Sequence, residues 1–462
     1  MGANGSAVPR HYFEEPAETM DPALLDAIQW EAFVRQVERA STSRFYRDRF
    51  ARAGFDVSHL RTWDDIGRIP FTSKTDLCDD IQENPPYGTR LVVASEEIVD
   101  IVETSGTSGI GREVHVLNAE DRHRAYRIEA FGFVWAGVRH GSVVALTLPV
   151  AMTAAGNWWI MTLDRLNANC LRLGQMDVEA KLDYLVRYQP HALIGTPAYV
   201  SRLERAALDR GLDLAAELPA LQSILVSGEA KSAHWAQERN IVWGAKVYEQ
   251  WGCCAGAVTW SCEGGMVDSA GSLRPMHSLP HLTMLEVIDP ATGEHVRDGE
   301  YGQIVITPLG MEAAPLVRFA TGDRARYLEA RHCTCGRPFP GIEASSVSRF
   351  DDMVKVKGVN VWPTVVAAVV ELHPEILEHR VTVYADASAR EQIKLEAVVR
   401  DNLGEGFRSE VLLRELKAST GLTFELIVHG AADGVAFQDV MQATSGKVRR
   451  WRDLRADDVP AE

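Results

Sequence analysis

The stretch from residue 143 to residue 229 constrains the fold most. Short apolar runs alternate there with helical patterns. VVALTLPV (143–150) reads as a strand and MDVEAKLDYLVRY (176–188) as an amphipathic helix. ALIGTP (192–197) reads as a strand ending in a turn, SRLERAALDR (201–210) as a helix, and QSILVSGE (222–229) as a strand ending in a loop. Strands joined through helices build a layered α/β domain around a largely parallel sheet. Ligands of such sheets sit at the carboxyl ends of the strands. The last two strands both end in small, turn-forming residues.

The flanking regions differ. Residues 22–54 carry apolar positions at Leu24, Leu25, Ile28, Phe33 and Val34, which predicts a helix. Residues 68–77 read as an extended entry followed by a helix start. From 282 to 328 strands are denser (LTMLEVIDP, GQIVITPL, PLVRFATGD), with turn residues in DPATG and RDGEYG. This predicts a smaller β-rich unit. A break at SSVSRFDD precedes about a hundred residues of mixed strands and helices, enough for a small α+β domain. A chain of 462 residues suits two or three domains. The expected division is an N-terminal domain at 1–347 with a β-rich subdomain at about 282–345, a hinge at 348–352, and a C-terminal domain at 353–462.

A net charge of −16 argues against nucleic acid and anionic membranes as main partners. The first twenty residues hold no apolar run long enough for a signal peptide or a membrane span. Seven cysteines are too few for a disulfide scaffold, and five of them (Cys253, Cys254, Cys262, Cys333, Cys335) lie between 253 and 335. That clustering points to a metal in a reducing compartment. A cytoplasmic location is expected, with a dimer as the oligomeric state entertained.

Glu103-Thr-Ser-Gly-Thr-Ser-Gly-Ile-Gly-Arg-Glu-Val-His115 interleaves glycines with hydroxyl residues after an apolar run. Glycines let the backbone approach an anion, and successive N–H groups and hydroxyls can ring phosphate oxygens. Taken alone, a flexible Gly/Ser loop explains the composition equally well. No GK[ST] closes it, so it is not the common nucleotide phosphate loop.

These residues resemble the adenylate-forming enzymes, specifically their phenylacetate–coenzyme A ligase branch. Ser105, Gly106, Thr107, Ser108 and Gly109 fall on the family's SSGTTGKPT phosphate loop, with Ile110-Gly111-Arg112 where the family has a lysine. In the family's order follow Ile69–Lys74 (LPFTTK-like), Ile194–Tyr199 and Val226–Glu229, which resembles the loop beside the adenine. Leu316–Asp323 resembles PLIRYRTGD, and Cys333–Arg337 resembles CPCGR. Ser348–Pro363 resembles GRxDDMxxIRGVNVFP, and Thr444–Arg450 the C-terminal SGGKxxR. The resemblance spans about residues 44 to 452.

It implies ATP, Mg²⁺ and coenzyme A as reactants and cofactors, and a role for each matched residue. Lys447 matches the catalytic lysine, a cation suited to the mutual repulsion of a carboxylate and an α-phosphate. Ser227, Gly228 and Glu229 would border the adenine, Asp323 would hold the ribose, and Arg349 would assist at the ribose or phosphates. Asp351 matches the hinge about which the C-terminal domain rotates between half-reactions. Lys355, Lys357 and Gly358 would belong to the face presented after rotation; as plain strand residues they read equally well. Trp251-Gly252 matches an aromatic–glycine pair at the adenine and acyl pocket. The family's YGxTE is altered here: Cys254 stands at the threonine and Ala255 at the glutamate that helps hold Mg²⁺. Glu249 or Glu263 would be the substitute carboxylate.

Cys262, His277, Cys333 and Cys335 match family members that carry a metal and would make a closed tetrahedral zinc site, with His281 as an alternative ligand. Trp158 and Trp159 in GNWW, with Cys253 and Ala255, are candidates for the wall of an acyl pocket; both tryptophans also suit a core. The implied activity is activation of a small carboxylic acid, with an aromatic acid favoured, to its acyl-adenylate, followed by transfer to coenzyme A. The rival readings are transfer to an amine, hydroxyl or carrier protein, and a non-catalytic nucleotide-binding relative.

Overall fold

The computed structural model describes residues 10–104, 111–150, 154–350, 353–373, 375–386, 390–400, 407–430 and 450–455. The chain divides into two compact units. One comprises Met1–Gly228 and Ala236–Val347, the other Glu229–Trp235 and Ser348–Glu462.

The larger unit is built on one long sheet. From one edge its strands are Thr283–Ile288, Tyr301–Pro308, Phe319–Leu328, Gly341–Glu343, Pro275–His277, Ala257–Ser261, Lys246–Cys253, Ser223–Ser227, Ala192–Gly195, Val143–Leu146 and Asn169–Arg172. The strand Lys246–Cys253 is a seam. It pairs parallel with Ser223–Ser227 on one side and antiparallel with Ala257–Ser261 on the other. Beyond it, Ser223–Ser227 through Asn169–Arg172 are all parallel. The strands of the β-rich stretch continue the main sheet through the Pro275–His277 and Gly341–Glu343 pair.

Local chemistry moves several expected boundaries. The helix expected over 22–54 is two helices, Pro22–Ser41 and Arg44–Ala53, because Ser43 caps the second by accepting from the Tyr46 amide. The helix expected from 201 starts at Pro197, where Thr196 accepts from the Tyr199 amide and proline occupies the first turn. The strand expected to reach 150 ends at Leu146, ahead of Pro149, which has no N–H for a ladder.

The helix Ala119–Trp135 lies against the seam and its neighbour. Ile128, Phe131, Phe133 and Trp135 share a core with Val144, Leu225, Tyr248 and Trp260. The approach is close enough that a Cβ at Gly132 would stand 1.9 Å from the Trp260 ring, so only glycine fits.

The smaller unit has a four-stranded sheet in the order Glu425–Gly430, Glu391–Val399, Ile376–Ala385, Trp451–Asp453. Helices Pro363–Val370 and Ser409–Thr420 pack Val366, Val369, Leu412 and Leu416 against Val381, Val383, Ile393 and Leu395. Its short hairpin, Val354–Val356 with Val359–Val361, turns at Lys357 and Gly358. Both have positive φ, 50° and 80°, as a two-residue turn of this kind demands. The Lys357 ammonium donates to Gln392 Oε1 at 2.9 Å.

Candidate functional site

The seam strand carries the site's best-defined contact. Glu249 and Trp251 point to one face, Tyr248 and Gln250 to the other, as the two-residue period of a strand requires. Trp251 Nε1 donates to Asp323 Oδ2 at 3.1 Å. The structure thus joins two residues singled out from separate motifs. Asp323 lies on the strand Phe319–Leu328, where its amide donates to Thr321 Oγ1 at 3.1 Å.

The seam ends in a hairpin that pairs Cys253 with Ala257 and turns through Gly256 at φ 82°. Arg124 holds this turn from behind. Its guanidinium donates to Gly256 O at 2.9 Å, Leu309 O at 2.7 Å and Thr283 Oγ1 at 3.0 Å, and also to Leu282 O. Burial pulls this guanidinium down to about 10. Gly252 is exposed, Cys253 and Cys254 are half-buried, and Ala255 is buried. Burial pushes the Cys253 thiol well above its ordinary value, so it is a weak nucleophile here.

Both carboxylates expected to stand in for the family's glutamate, where this chain has Ala255, have protein partners. Glu249 is 4% exposed and accepts from the Ser345 amide at 2.6 Å. Burial raises it to about 8, so it is uncharged at neutral pH. Its partner Ser345 sits in the left-handed region at φ 62°, a turn that this contact helps hold. Glu263 is committed to Arg337, which donates to both its oxygens, at 2.7 and 2.5 Å, and to Glu18 at 2.6 Å.

Trp158 and Trp159, on the helix Ala154–Arg165, are both buried. Trp158 packs with Val102, Leu117, Ala125 and Ala154, with Cys254 against the group. The same helix borders a cavity of about 680 Å³ whose walls include Leu146, Leu148, Ile160, Met161 and Arg172. Beside it, Lys181 is buried and donates to Thr147 O at 2.9 Å and to the Tyr199 hydroxyl at 2.7 Å. Burial lowers its ammonium to about 8.

Of the remaining sequence candidates, Ser105, Gly106, Thr107, Ser108, Gly109, Asp351 and Lys447 lie outside the described residues. The strands flanking the glycine-rich loop, Asp100–Glu103 and Val114–Leu117, pair antiparallel. Arg112, expected to replace the loop's lysine, pairs with Glu103 at 3.4 Å. Ser227 ends its strand, and Gly228 follows at φ 89°. Glu229 opens the segment grouped with the smaller unit, and both its carboxylate oxygens are buried without a hydrogen-bond partner among the described residues. Arg349 lies in the short strand Ser348–Arg349 of that unit.

Cys262, His277, Cys333 and Cys335 form a buried group whose ligand atoms all lie within 4.8 Å of one another. Cys262 and Cys333 sulfurs are 3.5 Å apart, and Cys335 Sγ is 3.4 Å from His277 Nε2. His277 Nδ1 lies 2.7 Å from Phe339 O. That contact requires the proton on Nδ1 and leaves the Nε2 lone pair facing the sulfurs, the tautomer a metal ligand needs. Arg274 comes within 3.3 Å of Cys333 Sγ, a positive charge suited to a site with three thiolates. His281 stands apart. It packs between Phe131 and Phe339, 3.5 Å from Glu14, and is not the fourth ligand.

Two groups beside the site escaped the sequence reading, Arg124 and Glu129. The signal was present in IEAFGFVW, where a lone acid interrupts an otherwise buried run.

Comparison with known proteins agrees with this geometry. A phenylacetate–coenzyme A ligase of Thermus thermophilus is 27% identical over 471 aligned positions, covering 96% of this chain and 99% of that protein. One of Pseudomonas putida is 28% identical, covering 75% of this chain and 76% of that protein. Among solved structures, a 2-hydroxyisobutyryl-CoA ligase superposes with a TM-score of 0.84 at 23% identity, covering 98% of this chain and 94% of its own; it shows the same fold. The model of the AMP-binding enzymes matches residues 72–311, which is 240 of the 462 positions. This chain belongs to the family of AMP-binding enzymes.

Proposed function

We propose that the protein is an AMP-forming acid–coenzyme A ligase. It joins a small carboxylic acid to the α-phosphate of ATP, releasing pyrophosphate, and then passes the acyl group to the thiol of coenzyme A, releasing AMP. The observation that carries this reading is the end-to-end likeness to phenylacetate–coenzyme A ligase, over 96% of this chain.

In the first step a carboxylate oxygen forms a bond to the α-phosphorus as pyrophosphate leaves. Two anions must approach, so stabilisation of developing charge dominates. Lys447 is the group assigned to that task, with the loop Ser105–Gly109 around the departing phosphates. Asp323 accepts the ribose hydroxyls through its carboxylate, and the Trp251 indole fixes its orientation. Ser227, Gly228 and Glu229 border the adenine, and Arg349 assists at the ribose. In the second step the coenzyme A sulfur attacks the acyl carbon and AMP leaves. Asp351 is assigned as the pivot between the two steps, with Lys355, Lys357 and Gly358 on the face used second.

Mg²⁺ is implied by the chemistry, but neither Glu249 nor Glu263 fits it, because both are already committed to protein groups. The thiolate–imidazole group fits Zn²⁺ in number, burial and tautomer, and as a closed four-ligand set it is structural. Thiolates kept for a metal suit a cytoplasmic setting. No helix of the described residues is long and apolar enough to cross a membrane. Aromatic acids are the favoured class, on the likeness to phenylacetate–coenzyme A ligases.

The test is pyrophosphate release with ATP, Mg²⁺ and a panel of aryl, arylacetic and aliphatic acids, with and without coenzyme A. Release accompanied by thioester supports the ligase. Release without thioester favours an amine, hydroxyl or carrier acceptor. ATP binding without release with any acid overturns catalysis and favours the non-catalytic reading that Ala255 suggests.

A further inference from the structure

Glu129 is used by no step above, yet it lies between the two elements that carry the site's aromatic residues. It sits on the helix Ala119–Trp135 and is 2% exposed. Its Oε2 accepts two hydrogen bonds, from Trp159 Nε1 at 3.0 Å and from Gln250 Nε2 at 2.7 Å. Trp159 belongs to the helix Ala154–Arg165 and adjoins Trp158. Gln250 belongs to the seam strand and adjoins Trp251, the partner of Asp323. One carboxyl group on a third element therefore ties the two together.

The surroundings keep that carboxyl uncharged. Burial raises it to about 8, opposed only by the two hydrogen bonds from neutral donors. The charged neighbours are engaged or turned away. On its own helix, Arg124 binds backbone carbonyls and Arg127 pairs with Glu14. On the helix Ala154–Arg165, Asp164 and Arg165 are exposed. On the seam, Glu249 faces the opposite side and Tyr248 keeps its phenol, raised by burial. The strand Ala257–Ser261 contributes no ionisable group. With both donors on Oε2, the proton belongs on Oε1.

We infer that Glu129 is a positioning residue for acid binding: as a neutral carboxylic acid it fixes the helix bearing Trp158 to the strand bearing Trp251. The inference rests on the proposed ligase reading for the identity of the pocket, but the tie itself does not. When the carboxyl ionises, a buried charge appears with no counter-charge beside it. Helix and strand then separate to admit water, and the cavity that the helix borders at Ile160 and Met161 loses its shape.

The test uses the full chain and two variants. Glu129→Gln keeps an acceptor oxygen and cannot titrate; Glu129→Leu removes the acceptor. The indole N–H resonance of Trp159, identified by its disappearance in Trp159→Phe, should titrate near pH 8 in the wild type and stay flat in Glu129→Gln. The wild-type KM for the acid should rise by about tenfold per pH unit above that midpoint, as expected for loss of one proton. Glu129→Gln should abolish this rise. Glu129→Leu should raise the acid KM by at least about tenfold at neutral pH, since both hydrogen bonds of the tie are lost. A Trp159 resonance that ignores pH overturns the tie. An alkaline rise retained in Glu129→Gln overturns the positioning role. If Glu129→Leu fails to fold, the Glu129→Gln comparison decides alone. If no acid is turned over by the wild type, the ligase reading falls and the indole titration still judges the tie.

Discussion

Removing metal from the Cys262–His277–Cys333–Cys335 group should lower the melting temperature of the larger unit by about 8 °C. The geometry sets the expectation. Two Zn–S bonds of about 2.3 Å at the tetrahedral angle place their sulfurs about 3.8 Å apart, and an S–N pair sits slightly closer. The observed separations are 3.5 Å for Cys262 and Cys333 and 3.4 Å for Cys335 and His277 Nε2. An ion therefore enters with adjustments of a few tenths of an ångström, and little of its binding energy is spent on rearrangement. Structural zinc binds with roughly 12 kcal/mol, a nanomolar dissociation constant. At micromolar free zinc the ion is about a thousandfold above that constant and stabilises the fold by about 4 kcal/mol. A chain of this size shifts by about 2 °C for each kcal/mol. The assay is elemental analysis of the purified protein, with calorimetry before and after chelation and after zinc is restored. A well-folded, metal-free protein whose melting temperature ignores added zinc would refute the reasoning.

Other perturbations have outcomes of known sign. Arg337→Met leaves Glu18 and Glu263 buried without their counter-charge and should cost about 3–5 kcal/mol in denaturant unfolding; a loss under about 1 kcal/mol would contradict the ion-pair account. Lys447→Ala should reduce adenylate formation by at least about a hundredfold with the fold intact, and near-normal pyrophosphate release would remove the lysine from the mechanism. Trp251→Phe deletes the indole donor to Asp323 and should raise the ATP KM by about tenfold, one hydrogen bond's worth; an unchanged KM would detach that contact from nucleotide binding. Glu249 has a folded value of about 8 against 4.5 for an ordinary carboxyl. Its contribution to stability is thus complete below about pH 4.5 and is lost as pH rises toward 8. Glu249→Gln should gain on the wild type across that window, by up to about 5 kcal/mol at pH 8, and parallel melting curves against pH would disprove it.

Features set by local chemistry were legible in the sequence. The parallel half of the sheet follows from strands alternating with helices, and Thr196, Ser43 and Pro197 explain where helices begin once their capping roles are considered. Motif resemblance brought Asp323 and Trp251 forward from stretches 72 residues apart, and their hydrogen bond is a property of the folded sheet alone. Burial was the quantity least legible. Glu249 and Glu263 look like free carboxylates in a string of letters, and in the fold one is neutral beneath Ser345 and the other is bound to Arg337. Glu129 was overlooked for the same reason. An acid on a helix is ordinarily solvated, and only the depth of this helix, with Gly132 against Trp260, takes its carboxyl out of water. The β-rich stretch reads as a subdomain of the larger domain because its strands are dense and its turns sharp. The pairing of Pro275–His277 with Gly341–Glu343, made across more than sixty residues, leaves no such local trace.

The seam strand bears on how this chain can change in length. Its alternation directs Glu249 and Trp251 to Ser345 and Asp323, and Gln250 to Glu129. Inserting or deleting one residue between Lys246 and Glu249 would turn every one of these side chains to the wrong face at once. The turn at 289–294, tied to its strands mainly by backbone bonds between Asp289 and Glu294, carries no comparable constraint. Length variation among descendants of this chain should therefore gather in that turn and be absent from the seam, an evolutionary signature written by the two-residue period of a single strand.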